Sequence, residues 1–196
     1  TRDLEVPPYT LTAARIAVAV VILAGYLTFK RQGLPTDIKN WTILAVLGLF
    51  GTALPFTLIS WGEVYIDSGL TAVLMGTMPV ATVMLAHLFI ADERFNFGTG
   101  LGIMIGFGGL IILIGADALH SLDTGVIAQF AIIIGAVSYA VSTTFARRFA
   151  RLPGPVMSTG STLAGLIWVL PMAIVLEQPW TLRPDGMAVI SVLILG

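Results

Sequence analysis

Two apolar runs free of Asp, Glu, Lys and Arg, Trp41–Trp61 and Gly69–Ala91, limit what this chain can fold into. Between them lies a short polar break, Gly62–Ser68, carrying Glu63 and Asp67, and the second run stops at Asp92-Glu93-Arg94. As a helix rising about 1.5 Å per residue, each run is long enough to cross roughly 30 Å of hydrocarbon. Neither alternates like a strand, and a helix satisfies its own backbone in lipid. The expectation is a hairpin of two membrane helices, each interrupted by a proline, Pro55 and Pro79.

The pattern recurs along the chain. Full spans are expected over Tyr9–Phe29, Trp41–Trp61, Gly69–Ala91, Gly98–Ala116, Gly125–Ala146 and Pro155–Leu176, with a partial one over Gly186–Gly196. Only 11% of the residues are charged, against roughly 25% in soluble domains. The fold class is therefore all-α and integral to a membrane, a multi-helix bundle of six complete spans plus one partial, with the lipid bilayer as its first partner. A chain without cysteine has no disulfides, thiolate nucleophiles or cysteine metal sites. Glu63, Asp67, Asp117 and Asp123 are scattered and lack histidine partners, so no catalytic residue, metal or cofactor is expected. A net charge of −1 offers no bulk attraction to nucleic acid.

Orientation follows from lysine and arginine in the short loops. Lys30, Arg31, Lys39, Arg94, Arg147, Arg148 and Arg151 gather at one set of helix ends, and only Arg2, Arg15 and Arg183 at the other. Segments 30–40, 92–97 and 147–154 are thus expected in the cytoplasm. Thr1–Pro8 then lies outside, so an odd number of spans would precede it in a protein with a cytoplasmic N-terminus.

A repeat is faintly visible. Pro8-Tyr9-Thr10 and Pro155-Val156-Met157 each open a span, from opposite sides by the charge count, which is the pattern of an inverted-topology repeat. Pro79 falls about 15 Å along its span, near the bilayer midplane. A proline there frees the carbonyl of residue 75 and kinks the helix, with Thr77 and Thr82 placed to satisfy that carbonyl. The expected substrate contacts are Thr77, Met78 and Pro79 at this break, Ser60 and Trp61 closing the preceding span, and Ser138 and Tyr139 on the fifth. Arg15, about 9 Å inside its span, is expected to pair with Glu63 or Asp67 at the external mouth. Gly98, Gly102 and Gly106 form a small-residue face that lets helices approach, so segment 98–115 is a possible homo-oligomer contact.

ALPFTLISWGEVYIDSGLTAVL (53–74), MGTMPVATVMLAHLF (75–89), DERF (92–95), GLGIMIGFGGLIIL (100–113) and AVSYAVSTTFARRFAR (136–151) together resemble the EamA-like family of the drug/metabolite transporter superfamily. The resemblance implies ten helices in two inverted five-helix repeats, and a permease or exporter of small metabolites or drugs. It implies a bacterial inner (plasma) membrane location. Residues 1–116 would be a first repeat lacking its first helix, and 117–196 a second, truncated one, so the chain looks like a fragment. Met75 stands where the family often has Asn, which weakens any polar substrate contact carried to that position. The alternative reading is a structural or assembly subunit without transport activity. A topology reporter fused after Arg31 is expected to report the cytoplasmic side; an external signal there would reverse the orientation.

Overall fold

A computed structural model describes residues 7–90, 97–114 and 125–178. Among them the secondary structure is helical, with no strand: α1 Pro8–Phe29, α2 Ile38–Gly48, a π-helical turn Leu49–Ala53, α3 Leu54–Gly62, α4 Ser68–Met75, α5 Thr77–Phe89, α6 Phe97–Ile114, α7 Val126–Phe149 and α8 Gly154–Glu177. Five spans are long and apolar enough to cross a membrane: α1, α2 through α3, α4 through α5, α7 and α8. The expected span over Gly98–Ala116 appears as α6, 18 residues long. The expected partial span at 186–196 and the Asp92-Glu93-Arg94 stop lie outside the described residues. Large apolar side chains such as Val21, Phe29, Met104, Ile112 and Val175 are exposed, as lipid-facing surface requires.

Each helix end has to dispose of its unpaired backbone groups. α1 begins at Pro7-Pro8, and Pro8 at the first helical position has no N–H to satisfy. Leu11 N–H bonds Pro7 O at 2.9 Å. Tyr9 and Thr10 N–H donate to Glu177 at the end of α8, at 3.0 and 2.6 Å. One distant carboxylate therefore caps the first turn and meets the positive end of the helix dipole. At the other end Arg31 N–H bonds Thr28 O and Gln32 N–H bonds Leu27 O, a Schellman closure. Arg31 takes the left-handed position (φ 52°) that glycine usually fills. Asp37 caps α2 by accepting from Asn40 N–H at 2.9 Å; the backbone and side-chain bonds from Asn40 hold its carboxyl below the ordinary aspartate value. Asp67 caps α4 through Gly69 N–H.

The helices pack as two units. The first contains α1, α2 with its π-helical turn, and α8. Here α8 packs on both α1 and α2, and small residues set the spacing. A Cβ on Gly48 would lie 2.5 Å from Ser161 O and 2.6 Å from Gly165 N. A Cβ on Gly160 would strike Leu44, and one on Gly165 would strike Thr52. Leu44, Gly48 and Thr52 recur every four residues and seat against Gly160, Ala164 and Gly165. The π-helical turn precedes Pro55, which has no N–H to give a carbonyl four residues back, and it presents Thr52 to α8.

The second unit contains α3 to α7. α7 packs against α3, α4 and α5. Ile66, Leu70, Ala128 and Ile132 form a buried cluster, with Trp61, Leu74 and Met75 packed against it. Gly62 and Gly135 on α3 and α7 admit Ile132 and Ile59 across that contact. On the small face of segment 98–115, a Cβ on Gly102 or Gly106 would meet nothing within 4 Å among the described residues. Close helix approach through small residues is seen on α8, whose Gly160, Ala164 and Gly165 face a partner with matching four-residue spacing.

Two outcomes follow from this packing. Gly48→Ala and Gly165→Ala each destabilise the fold by about 1–3 kcal/mol, because the clash is with backbone or a β-branched neighbour. Gly102→Ala and Gly106→Ala are neutral or stabilising, by up to about 1 kcal/mol of helix propensity. Thermal unfolding in detergent distinguishes the pairs. Glu177→Ala frays the first turn of α1, read as faster amide exchange at Tyr9 and Thr10 with α8 still protected.

Candidate functional site

The span from Ser68 to Phe89 is broken at Gly76 rather than bent at Pro79. α4 ends at Met75, and Gly76 serves both as the C-cap of α4 and the N-cap of α5. Pro79 then sits in the first turn of α5, where its missing N–H is tolerated. Thr77 and Thr82 do not serve the carbonyl of residue 75, as the sequence suggested. Thr77 Oγ1 donates to Leu74 O at 2.7 Å, and Thr82 Oγ1 to Met78 O at 2.8 Å. The reason is local: a helix that restarts at Thr77 exposes carbonyls on either side of the break, and each hydroxyl takes the one within its own turn. The break lies about 12 Å into a span about 33 Å long.

A cleft of about 520 Å³ opens at this break. Gly76 and Pro79 form one wall; Thr99, Gly102, Ile103, Gly106 and Phe107 on α6 form the other. Phe107 lies against the break itself, since a Cβ on Gly76 would be 2.9 Å from its ring. Gly76 is therefore needed for that approach, and the open glycine face of α6 gives the cleft its width. The walls are apolar, with the Thr99 hydroxyl the polar side chain among them.

Of the residues expected to meet substrate, Pro79 lines this cleft and is exposed. Thr77 and Met78 are half-buried beside it. Ser60 and Trp61 close α3; Trp61 packs on the Ile66–Leu70–Ala128–Ile132 cluster and meets the tilted Tyr65 ring at 5.0 Å between ring centroids. Tyr139 meets Phe56 edge to face at 6.3 Å, and Ser138 is buried on α7. Ser60, Trp61, Ser138 and Tyr139 thus belong to α3 and α7, and none of them lines the cleft beside Pro79. Arg15 lies on α1 in the first unit, while Glu63, exposed just past α3, belongs to the second. His87 is exposed near the end of α5. Among the described residues no three His, Cys, Asp or Glu come together as a metal site.

The sequence reading missed Phe107, Thr99 and the role of Gly102 and Gly106 as cleft walls. The signal was present, because Phe107 is flanked by Gly106, Gly108 and Gly109. It also missed a groove of about 300 Å³ between the ends of α5 and α7, where Arg148 donates to Phe89 O at 2.9 Å.

The sequence profile of the EamA-like transporter family matches residues 2–115, more than half of the chain. The chain is 23% identical over 98% of its length to the uncharacterized transporter YoaV of Bacillus subtilis, covering 66% of that protein. It is 26% identical over 83% of its length to a protein of Streptantibioticus cattleyicolor named a probable terminal-alkyne amino-acid exporter, covering 52% of it. It is 28% identical over 91% of its length to the uncharacterized inner membrane transporter YedA of Escherichia coli K12, covering 57% of it. A crystal structure 23% identical to it superposes with a TM-score of 0.77, covering 98% of this chain and 66% of the other, which establishes the shared fold. The chain thus spans between about half and two thirds of the length of these relatives. An all-helical membrane chain matched over most of its first four spans belongs to the EamA-like transporter family.

Proposed function

We propose that the protein carrying this chain is a secondary-type transporter that exports or exchanges small metabolites or drugs by alternating access. The observation that carries the proposal is the helix break at Gly76, inside its span and open to a cleft. Interrupted backbone at membrane depth is tolerated where it lines a cavity or is buried in protein, and transporters of this kind place their sites near such breaks. The apolar lining favours neutral or amphipathic cargo over highly charged ions. The name of the Streptantibioticus cattleyicolor relative, an amino-acid exporter, makes small amphipathic amino acids the first cargo to try.

The finer parts of the reading are proposals as well. Residues 1–116 and 117–196 belong to two inverted repeats, and each packing unit draws helices from both. The protein resides in a bacterial inner membrane, a location supported by the name of the Escherichia coli relative, with 30–40, 92–97 and 147–154 in the cytoplasm. Thr77, Met78, Ser60, Trp61, Ser138 and Tyr139 join Pro79 in meeting the cargo, and Arg15 pairs with Glu63 to control the external mouth. Segment 98–115 offers a homo-oligomer contact. The chemistry is passage, not catalysis.

The test is efflux and uptake of amino acids and amphipathic metabolites by the full-length protein in proteoliposomes. Pro79→Ala, which favours a continuous helix across the break, is expected to slow transport several-fold with membrane insertion unchanged. Absence of transport across the whole set, or an unaltered rate in Pro79→Ala, overturns the assignment of the break. Transport and folding unaltered in Arg15→Gln would remove the ion pair from it.

A further inference from the structure

The groove between the ends of α5 and α7 has no part in the transport reading. Its apolar walls are Leu85, Phe89, Val141 and Phe145, and its polar groups are Thr144 and Arg148. At about 300 Å³ it falls at the lower edge of small-molecule sites, roughly 300–1,000 Å³. α5 ends at Phe89 and α7 at Phe149, so the groove lies where membrane-length helices reach the water. Arg148 donates to Phe89 O at 2.9 Å, which uses one of its five N–H groups. Its guanidinium also lies 5.7 Å from the Phe149 ring centroid. Arg147 adds a second positive charge at the same helix end. Thr144, one turn deeper, is 5% exposed, and its buried hydroxyl has no hydrogen-bond partner among the described residues. Buried hydroxyls are nearly always bonded, so an orphan in a groove wall points to a partner from outside the described residues.

We infer that this groove holds an anionic phospholipid. One acyl chain lies along Leu85, Val141 and Phe145, the ester region reaches Thr144, and the phosphate sits at Arg148. The order of these groups matches the depth order of the lipid. Thr144 and Arg148 are four residues apart on one helix face, about 6 Å along the axis. Charge decides the lipid class: a basic end between membrane helices selects anionic headgroups. A water-soluble phosphate would leave the apolar walls uncovered.

The test is native mass spectrometry of the full-length protein after equilibration in nanodiscs of equal dioleoyl-phosphatidylglycerol and dioleoyl-phosphatidylcholine. Wild type is expected to retain phosphatidylglycerol with about tenfold preference, the size of one charge-assisted contact. Arg148→Gln keeps an amide donor for Phe89 O and brings the preference close to parity. Leu85→Trp fills the groove and lowers retention of both lipids. Thr144→Val, nearly isosteric, lowers phosphatidylglycerol retention several-fold and serves if either larger change fails to fold. Equal retention of the two lipids by wild type overturns the inference, as does an unchanged preference in Arg148→Gln or Thr144→Val. So does a cross-link from Leu85→Cys to another segment of the same protein filling the groove. Retention is read without transport, so the outcome is independent of whether the protein moves any cargo.

Discussion

In lipid, a backbone N–H or C=O has only the protein itself to bond with, and the rest of this structure depends on how that requirement is met. Helix interiors meet it automatically. The informative places are therefore the ends and the prolines. At α1 two prolines open the helix, and the carboxylate of Glu177 accepts the two N–H groups that follow. Before Pro55 the helix widens into a π-helical turn. Before Pro79 it stops and restarts at Gly76. Each solution has a second effect. The cap joins α1 to α8, the wide turn presses Thr52 on Gly165, and the restart opens a cleft against α6.

Glycine serves opposite purposes in different helices. On α8, Gly160 and Gly165 sit where a side chain would collide with Leu44 and Thr52, and there glycine permits close approach. On α6, Gly102 and Gly106 face open space and form a cleft wall. The small-residue motif is the same in both cases, and only the presence of a facing helix separates packing from cavity. Without a hydrophobic drive between helices in lipid, association rests on such close contact. The α8 face, matched by Leu44, Gly48 and Thr52, supplies it.

The two cavities within α3–α7 divide by chemistry as well as by depth. The cleft at Gly76 is apolar and sits on a break in the backbone, where α4 ends and α5 begins. The groove at Arg148 is apolar inside and basic at its rim, at the end of two spans. The first suits the proposed cargo site, and the second the proposed lipid site. Both depend on a residue that keeps the backbone satisfied near the opening. Thr77 takes the carbonyl of Leu74, and Arg148 takes that of Phe89.

Much of the architecture was legible in the residues alone. Runs of about 20 apolar residues without alternation force membrane helices, because a helix pairs its own backbone in lipid and a barrel strand would be shorter and alternating. Thr77-Met78-Pro79 marked an interruption in the third span, which the structure places one residue earlier, at Gly76. Three things stayed hidden because they depend on residues far apart in sequence. Nothing near Glu177 in sequence shows that α8 brings it to Tyr9 and Thr10, 168 and 167 residues away. The glycines of α6 and α8 read alike until their neighbours were known. Thr144 and Arg148 looked like an ordinary helix end until α5 supplied Leu85 and Phe89. Local hydrogen bonding and span length are encoded in short windows of sequence; which faces meet, and which stay open, is decided by packing between helices.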